Sequence, residues 1–119
     1  MTAPVRFGVV GLDHWYSAIP LAQAVADDRR TELVAIADPS TDRANEVAAK
    51  TGGPRVTTSF KEVLEDDSID VIASFVSVDQ NPDVCVAAAR AGKHIVSVKP
   101  LARTLAEADR IVEAVNAAG

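Results

Sequence analysis

VRFGVVGLDHWY, residues 5–16, holds a strand-length apolar run, Val5–Val10, that stops at Gly11 and passes at once into helix-forming sequence. A short run with no polar alternation is what a strand covered on both faces looks like, and such strands belong to parallel sheets. The helical stretch covers Trp15–Asp27 and puts Ile19, Ala22 and Val25 on one face. Pro20 falls in its early part, where a missing N–H and a fixed φ are best tolerated.

The same alternation repeats down the chain. ELVAIA, residues 32–37, is a second apolar run, closed by Asp38-Pro39. Residues 41–51 read as a helix with Ala44, Val47 and Ala48 at helical spacing, and Gly52-Gly53 stops it. A short third strand over 55–58 precedes Ser59, which with Glu62 has the S-x-x-E form of a capping box. IDVIASFVSV, residues 69–78, contains a fourth strand. Asn81-Pro82 then reads as a cap followed by proline at the first helical position, with the helix ending at Gly92. HIVSV, residues 94–98, is the fifth strand. Thr104 and Glu107 form a second capping box, opening a last helix predicted to turn Leu105, Ala108, Ile111, Val112 and Val115 inward.

Five strand–helix units with two-face-buried strands require a parallel sheet, and right-handed crossovers leave few topologies. The prediction is an α/β fold, a doubly wound parallel sheet of about five strands in the order 3-2-1-4-5, forming one domain over residues 1–119.

Composition agrees. A chain of 119 residues with 48% hydrophobic and 24% charged residues is of globular type, and aromatics at 4% leave the core to Val, Ala, Ile and Leu. A net charge of -5, with Lys and Arg scattered singly, argues against a nucleic-acid surface. No apolar run approaches the roughly 18 residues of a membrane span. Residues 1–6 lead straight into a strand, leaving no room for a signal peptide. The one cysteine, Cys85, is read as apolar packing and suits a reducing cytoplasm, the predicted location.

In an open α/β sheet, ligands bind beyond the carboxyl ends of the strands where the winding reverses. That gathers the first turn, Gly11 to Tyr16, with Asp38, the segment 75–80 and the segment 98–100. A dinucleotide fingerprint would read G-x-G-x-x-G in the first turn, but only Gly11 is present, with Asp13 and Tyr16 at the other two glycine positions. The helix N-terminus after Gly11, Leu12, Asp13, His14 and Trp15 still offers free N–H groups to an anion. Asp13 either caps that helix or opposes a phosphate. Asp38 can accept hydrogen bonds from ribose hydroxyls and would repel a 2′-phosphate, which points to NAD in preference to NADP; its other reading is turn chemistry with Pro39. Lys99, followed by Pro100, either orients a carbonyl or carboxamide in the crevice or belongs to a solvated turn. His14 and His94 stand too far from other ligand types to suggest zinc, and no metal is predicted.

The phrases VRFGVVGLDHWYS, ELVAIADPSTDRANEVAAKTG, SFKEVLEDDSIDVIASFVSV and AARAGKHIVSVKPLARTLAEADRIVEAVNAAG together resemble the N-terminal Rossmann-type domain of the Gfo/Idh/MocA oxidoreductases, over essentially the whole chain. The resemblance implies an NAD(P)-dependent oxidoreductase of sugars, polyols or related small molecules. By their place at the carboxyl ends of strands four and five, Val76, Ser77 and Pro100 are expected to line the cofactor, and the resemblance implies that Lys99 matches the lysine of an E-K-P motif near nicotinamide and substrate and that the Lys99–Pro100 bond is cis. The chain departs from the family pattern at Val98, in place of the glutamate, and in Val76–Asn81 (VSVDQN), in place of a T-P-x-x-x-H-like loop. Family members continue with another strand and a substrate domain, so this chain by itself is expected to bind dinucleotide but turn nothing over. A bare fifth-strand edge is then expected to pair as a homodimer. The competing reading is a non-catalytic interaction module that kept the fold and lost the cofactor.

Overall fold

The computed structural model describes residues 2–119, arranged as five strands and five helices in strict alternation. They are β1 (Val5–Val10), α1 (Trp15–Asp27), β2 (Thr31–Ala37), α2 (Thr41–Lys50), β3 (Arg55–Thr57), α3 (Phe60–Leu64), β4 (Val71–Ser74), α4 (Asn81–Arg90), β5 (His94–Ser97) and α5 (Leu105–Ala118). All four pairings are parallel and the order is β3-β2-β1-β4-β5, as the sequence predicts. The winding reverses between β1 and β4, so the turns after these two strands face one another.

Alternate residues of each central strand feed two cores. Val9, Ile36 and Ala73 join Ala18, Ala22 and Val47 beneath α1 and α2. Val10, Ala37 and Ile72 join Val63, Val76 and Val84 beneath α3 and α4. Small side chains let these helices sit close. A Cβ on Gly8 would stand 2.5 Å from Val63 Cγ1 and 2.9 Å from Ile69 Cδ1. The β1–β2 register also slips between Phe7 and Gly8.

Three expectations fail in informative ways. The last helix buries only Ile111 of its five predicted inward residues; Leu105 is 84% exposed, and Val112 and Val115 are also exposed. The helix packs chiefly on α4, with Ala108 and Ala114 half-buried, and since β5 is the outermost strand nothing among the described residues covers Leu105, Val112 and Val115. Asn81 does not cap α4: Gln80 holds the cap position without a side-chain bond, Asn81 is the first helical residue, and Pro82 the second. Asp13 does not cap α1 either; His14 holds that position, again without a side-chain bond. In both helices the polar side chain is drawn to partners across the sheet. Ser59 and Thr104 do cap, each accepting from the backbone N–H three residues on, but neither capping box closes: Glu62 accepts from Thr57 Oγ1 and Glu107 from the Arg103 N–H. Among the described residues no helix is long and apolar enough to cross a membrane. Cys85 is buried, and that burial pushes its thiol up from the usual range, in keeping with a packing role.

Candidate functional site

The turn after β1 is anchored on three sides. Gly11 adopts φ +79° and donates its N–H to the Ala37 carbonyl at 2.7 Å. Leu12 is fully buried, and its N–H goes to Asp38 Oδ1 at 2.8 Å. The His14 N–H goes to the Phe75 carbonyl at 3.1 Å, with His14 Nδ1 3.3 Å from the same oxygen. Val76 closes against the turn so tightly that a Cβ on Gly11 would lie 2.5 Å from Val76 Cγ1. The Trp15 and Tyr16 N–H groups, in the first turn of α1, meet no acceptor among the described residues. They are the free donors of a helix N-terminus. Trp15 itself is 58% exposed and stands edge-on to Tyr16, which stands edge-on to His14.

Asp38 is fully buried and already accepts four hydrogen bonds: from Leu12 N, Ser40 N at 2.9 Å, Arg43 Nε at 3.1 Å and Arg43 Nη2 at 2.8 Å. Turn chemistry and β1–β2 bracing are therefore both part of its work. The Arg43 guanidinium, held above its ordinary range chiefly by Asp38, also reaches Asp13 Oδ1 at 3.2 Å. The other Asp13 oxygen accepts from Ser77 N at 3.1 Å. Asp13 thus spans from the β1 turn to the loop after β4 and to α2. Two carboxylates share one guanidinium, leaving the cluster with a net charge of -1.

The structure brings Gly11, Leu12, Asp13, His14, Asp38, Val76 and Ser77 into one contact network. Lys99 and Pro100 stand apart from it at the end of β5, exposed, with no hydrogen bond or ion pair from the Lys99 ammonium among the described residues. The Lys99–Pro100 bond is cis. Among the described residues no group of three or more His, Cys, Asp or Glu could hold a metal ion. Sequence reading missed Arg43. The signal was there: in D-x-x-x-x-R, the arginine one turn into α2 comes back over the aspartate that closes β2. It also missed what Asn81 does, because an asparagine before a proline reads as a cap.

Residues 5–119 match the family described as an oxidoreductase family with an NAD-binding Rossmann fold, GFO_IDH_MocA. The chain is 31% identical over 109 residues to myo-inositol 2-dehydrogenase of Thermotoga maritima, covering 92% of this chain and 32% of that protein. It is 33% identical to scyllo-inositol 2-dehydrogenase (NAD(+)) of Bacillus subtilis, covering 100% of this chain and 34% of that one. Among solved structures, biliverdin reductase of Synechocystis, in complex with biliverdin and NADP+, superposes with a TM-score of 0.89 at 30% identity, over 98% of this chain and 36% of that chain. The chain therefore spans about a third of the length of the relatives it matches.

Proposed function

The chain belongs to the GFO_IDH_MocA oxidoreductase family, and on that premise we propose that it is the dinucleotide-binding domain of a nicotinamide-dependent oxidoreductase acting on a sugar, polyol or related small molecule. The observation that carries the reading is the first turn of α1. Its unpaired N–H groups open where the winding reverses, beside a glycine whose missing Cβ lets the turn lie against Val76. That cradle fits a pyrophosphate. When bound, the nicotinamide cofactor supplies the hydride chemistry.

The chain's own residues divide the remaining work. The Trp15 and Tyr16 amides face the phosphates, and Gly11, Leu12, His14 and Val76 hold that turn against β4. Asp38 faces the adenosine side, where a ribose hydroxyl reaches it by displacing Arg43, whose side chain is 38% exposed and otherwise bonded to Asp38 and Asp13. The net negative charge of the Asp13–Arg43–Asp38 cluster supports NAD over NADP, since a 2′-phosphate would add charge of the same sign. Lys99, with Pro100 fixing its turn, stands ready to orient the nicotinamide carboxamide or a substrate carbonyl. A lone buried thiol suits a reducing cytoplasm.

Calorimetric titration tests this. NADH is expected to bind with NADPH binding more weakly. Asp13→Gly is expected to tighten NADH by about 1 to 3 kcal/mol, or roughly 5- to 150-fold, by removing a carboxylate from the phosphate path. No heat and no thermal shift with either nucleotide would favour the second reading, an interaction module that kept the fold. The Asp13 carboxylate, tied to Ser77 and Arg43 across the turn, is the observation that speaks for it.

The edge of β5 is the surface we assign to pairing with a second copy, because its N–H and C=O groups on one side have no neighbouring strand. Sedimentation velocity should then show a species of twice the chain mass, and a monomer at high concentration would end that idea.

A further inference from the structure

Asn81 is 1% exposed and uses every hydrogen-bonding position of its side-chain amide. Its Oδ1 accepts from Ser74 Oγ on β4 at 2.8 Å and, weakly, from Cys85 Sγ at 3.5 Å. Its Nδ2 donates to Ser97 Oγ at the end of β5 at 2.9 Å and to the Leu101 carbonyl at 2.8 Å. Ser97 and Leu101 bracket Val98, Lys99 and Pro100. One nitrogen therefore holds both the entry and the exit of the turn that carries Lys99. Between residues 99 and 102, the Leu101 bond to Asn81 is the one hydrogen bond to the remainder of the chain among the described residues.

We propose that Asn81 is a positioning residue that fixes where Lys99 stands at the carboxyl end of β5. The physical reason is economy of anchoring. A turn with no ladder bonds of its own keeps one conformation only if something rigid grips it. The amide is rigid because α4 and β4 fix it from behind, and a buried donor left unmade is costly. The acceptor side of the amide serves the fold, and the donor side serves the turn. This inference rests on the reading that Lys99 acts on the cofactor side of the site.

The test separates the two. Backbone order parameters from nitrogen-15 relaxation are measured for Lys99, Leu101 and Ala102 in the unaltered chain, in Asn81→Ala and in Ser74→Ala. Asn81→Ala is expected to drop these amides from a rigid value of about 0.85 to below about 0.6. Ser74→Ala cuts the amide's other side and is expected to leave them rigid, whatever it does to the melting temperature. A rigid turn in Asn81→Ala overturns the proposal. If that variant does not fold, Asn81→Ser, which leaves room for a water, takes its place with the same expectation. NADH titration then gives the cycle with Lys99→Ala. Asn81→Ala is expected to weaken NADH by about 3- to 10-fold alone and not further in the Lys99→Ala background. Additive losses overturn the proposal. If Lys99→Ala leaves NADH affinity unchanged, it is the reading of Lys99 that fails, and the order parameters still decide the role of Asn81.

Discussion

Gly11→Ala is expected to lower the stability of the fold by about 2 to 5 kcal/mol, the sum of two separate penalties. The first is conformational. At φ +79° an L side chain meets its own carbonyl, at a cost of about 1 to 2 kcal/mol. The second is crowding. The new Cβ would lie 2.5 Å from Val76 Cγ1, 3.0 Å from Val76 N and 3.1 Å from Val76 Cα. A rotamer change can move the first of these but not the backbone atoms, so the turn itself must shift, at about 1 to 3 kcal/mol. Against a total of about 5 to 15 kcal/mol, the urea midpoint should fall steeply with little change in slope. Gly92→Ala is the control, since Gly92 has φ +76° but nothing within 4 Å of its Cβ. It should cost only the conformational part. Equal losses at the two positions would mean that the first turn does not press on β4, and the cradle described above would lose its geometric basis.

Asp38→Ala is expected to cost about 1 to 4 kcal/mol, and the larger share comes from backbone, not from the ion pair. Removing the carboxylate strands the Leu12 N–H, in a fully buried residue, whereas the N–H of Ser40, an exposed residue, is within reach of water. A buried donor without a partner costs about 1 to 3 kcal/mol. The Arg43 side chain is 38% exposed and recovers much of its hydration by swinging outward, so its share is discounted to about 1 kcal/mol or less. Denaturant unfolding of Asp38→Ala, Arg43→Ala and the double variant checks this division. Most of the Asp38→Ala loss should persist when Arg43 is already alanine. A loss that vanishes in that background would make the ion pair the dominant contribution. A loss below about 1 kcal/mol would mean that water reaches the Leu12 amide. Asp38 and Gly11 thus hold the same turn from two sides, one by accepting its N–H and the other by having no side chain.

The strands and helices were legible because their signals are local. VRFGVV ending in Gly11, ELVAIA ending in Asp38, and the Ser59 and Thr104 caps each need only a few neighbouring residues to be read. The carboxyl-end clustering of Gly11, Asp38 and Val76 was legible too, because parallel connectivity places those ends together. The misread residues are all polar or apolar groups whose partners are distant in sequence. Asp13 looked like a cap until Ser77, 64 residues away, supplied a better donor. Asn81 looked like a cap until Ser97 and Leu101 came within reach of its amide. Leu105, Val112 and Val115 carry helical periodicity, which tells which face is apolar but not whether anything packs against it.

By itself, then, the sequence determined the alternation of elements, the strand order and the end of the sheet at which a ligand belongs. Each of these follows from short-range periodicity, caps and the handedness of crossovers. Only the tertiary structure decided which partners these polar side chains meet: Asp38 accepts from Leu12, Ser40 and Arg43, Asp13 accepts from Ser77 and Arg43, and Asn81 donates to both ends of the Lys99 turn. A carboxylate or amide satisfies whichever partners folding brings within about 3 Å, and that distance is set by the packing of strands and helices far apart in the chain.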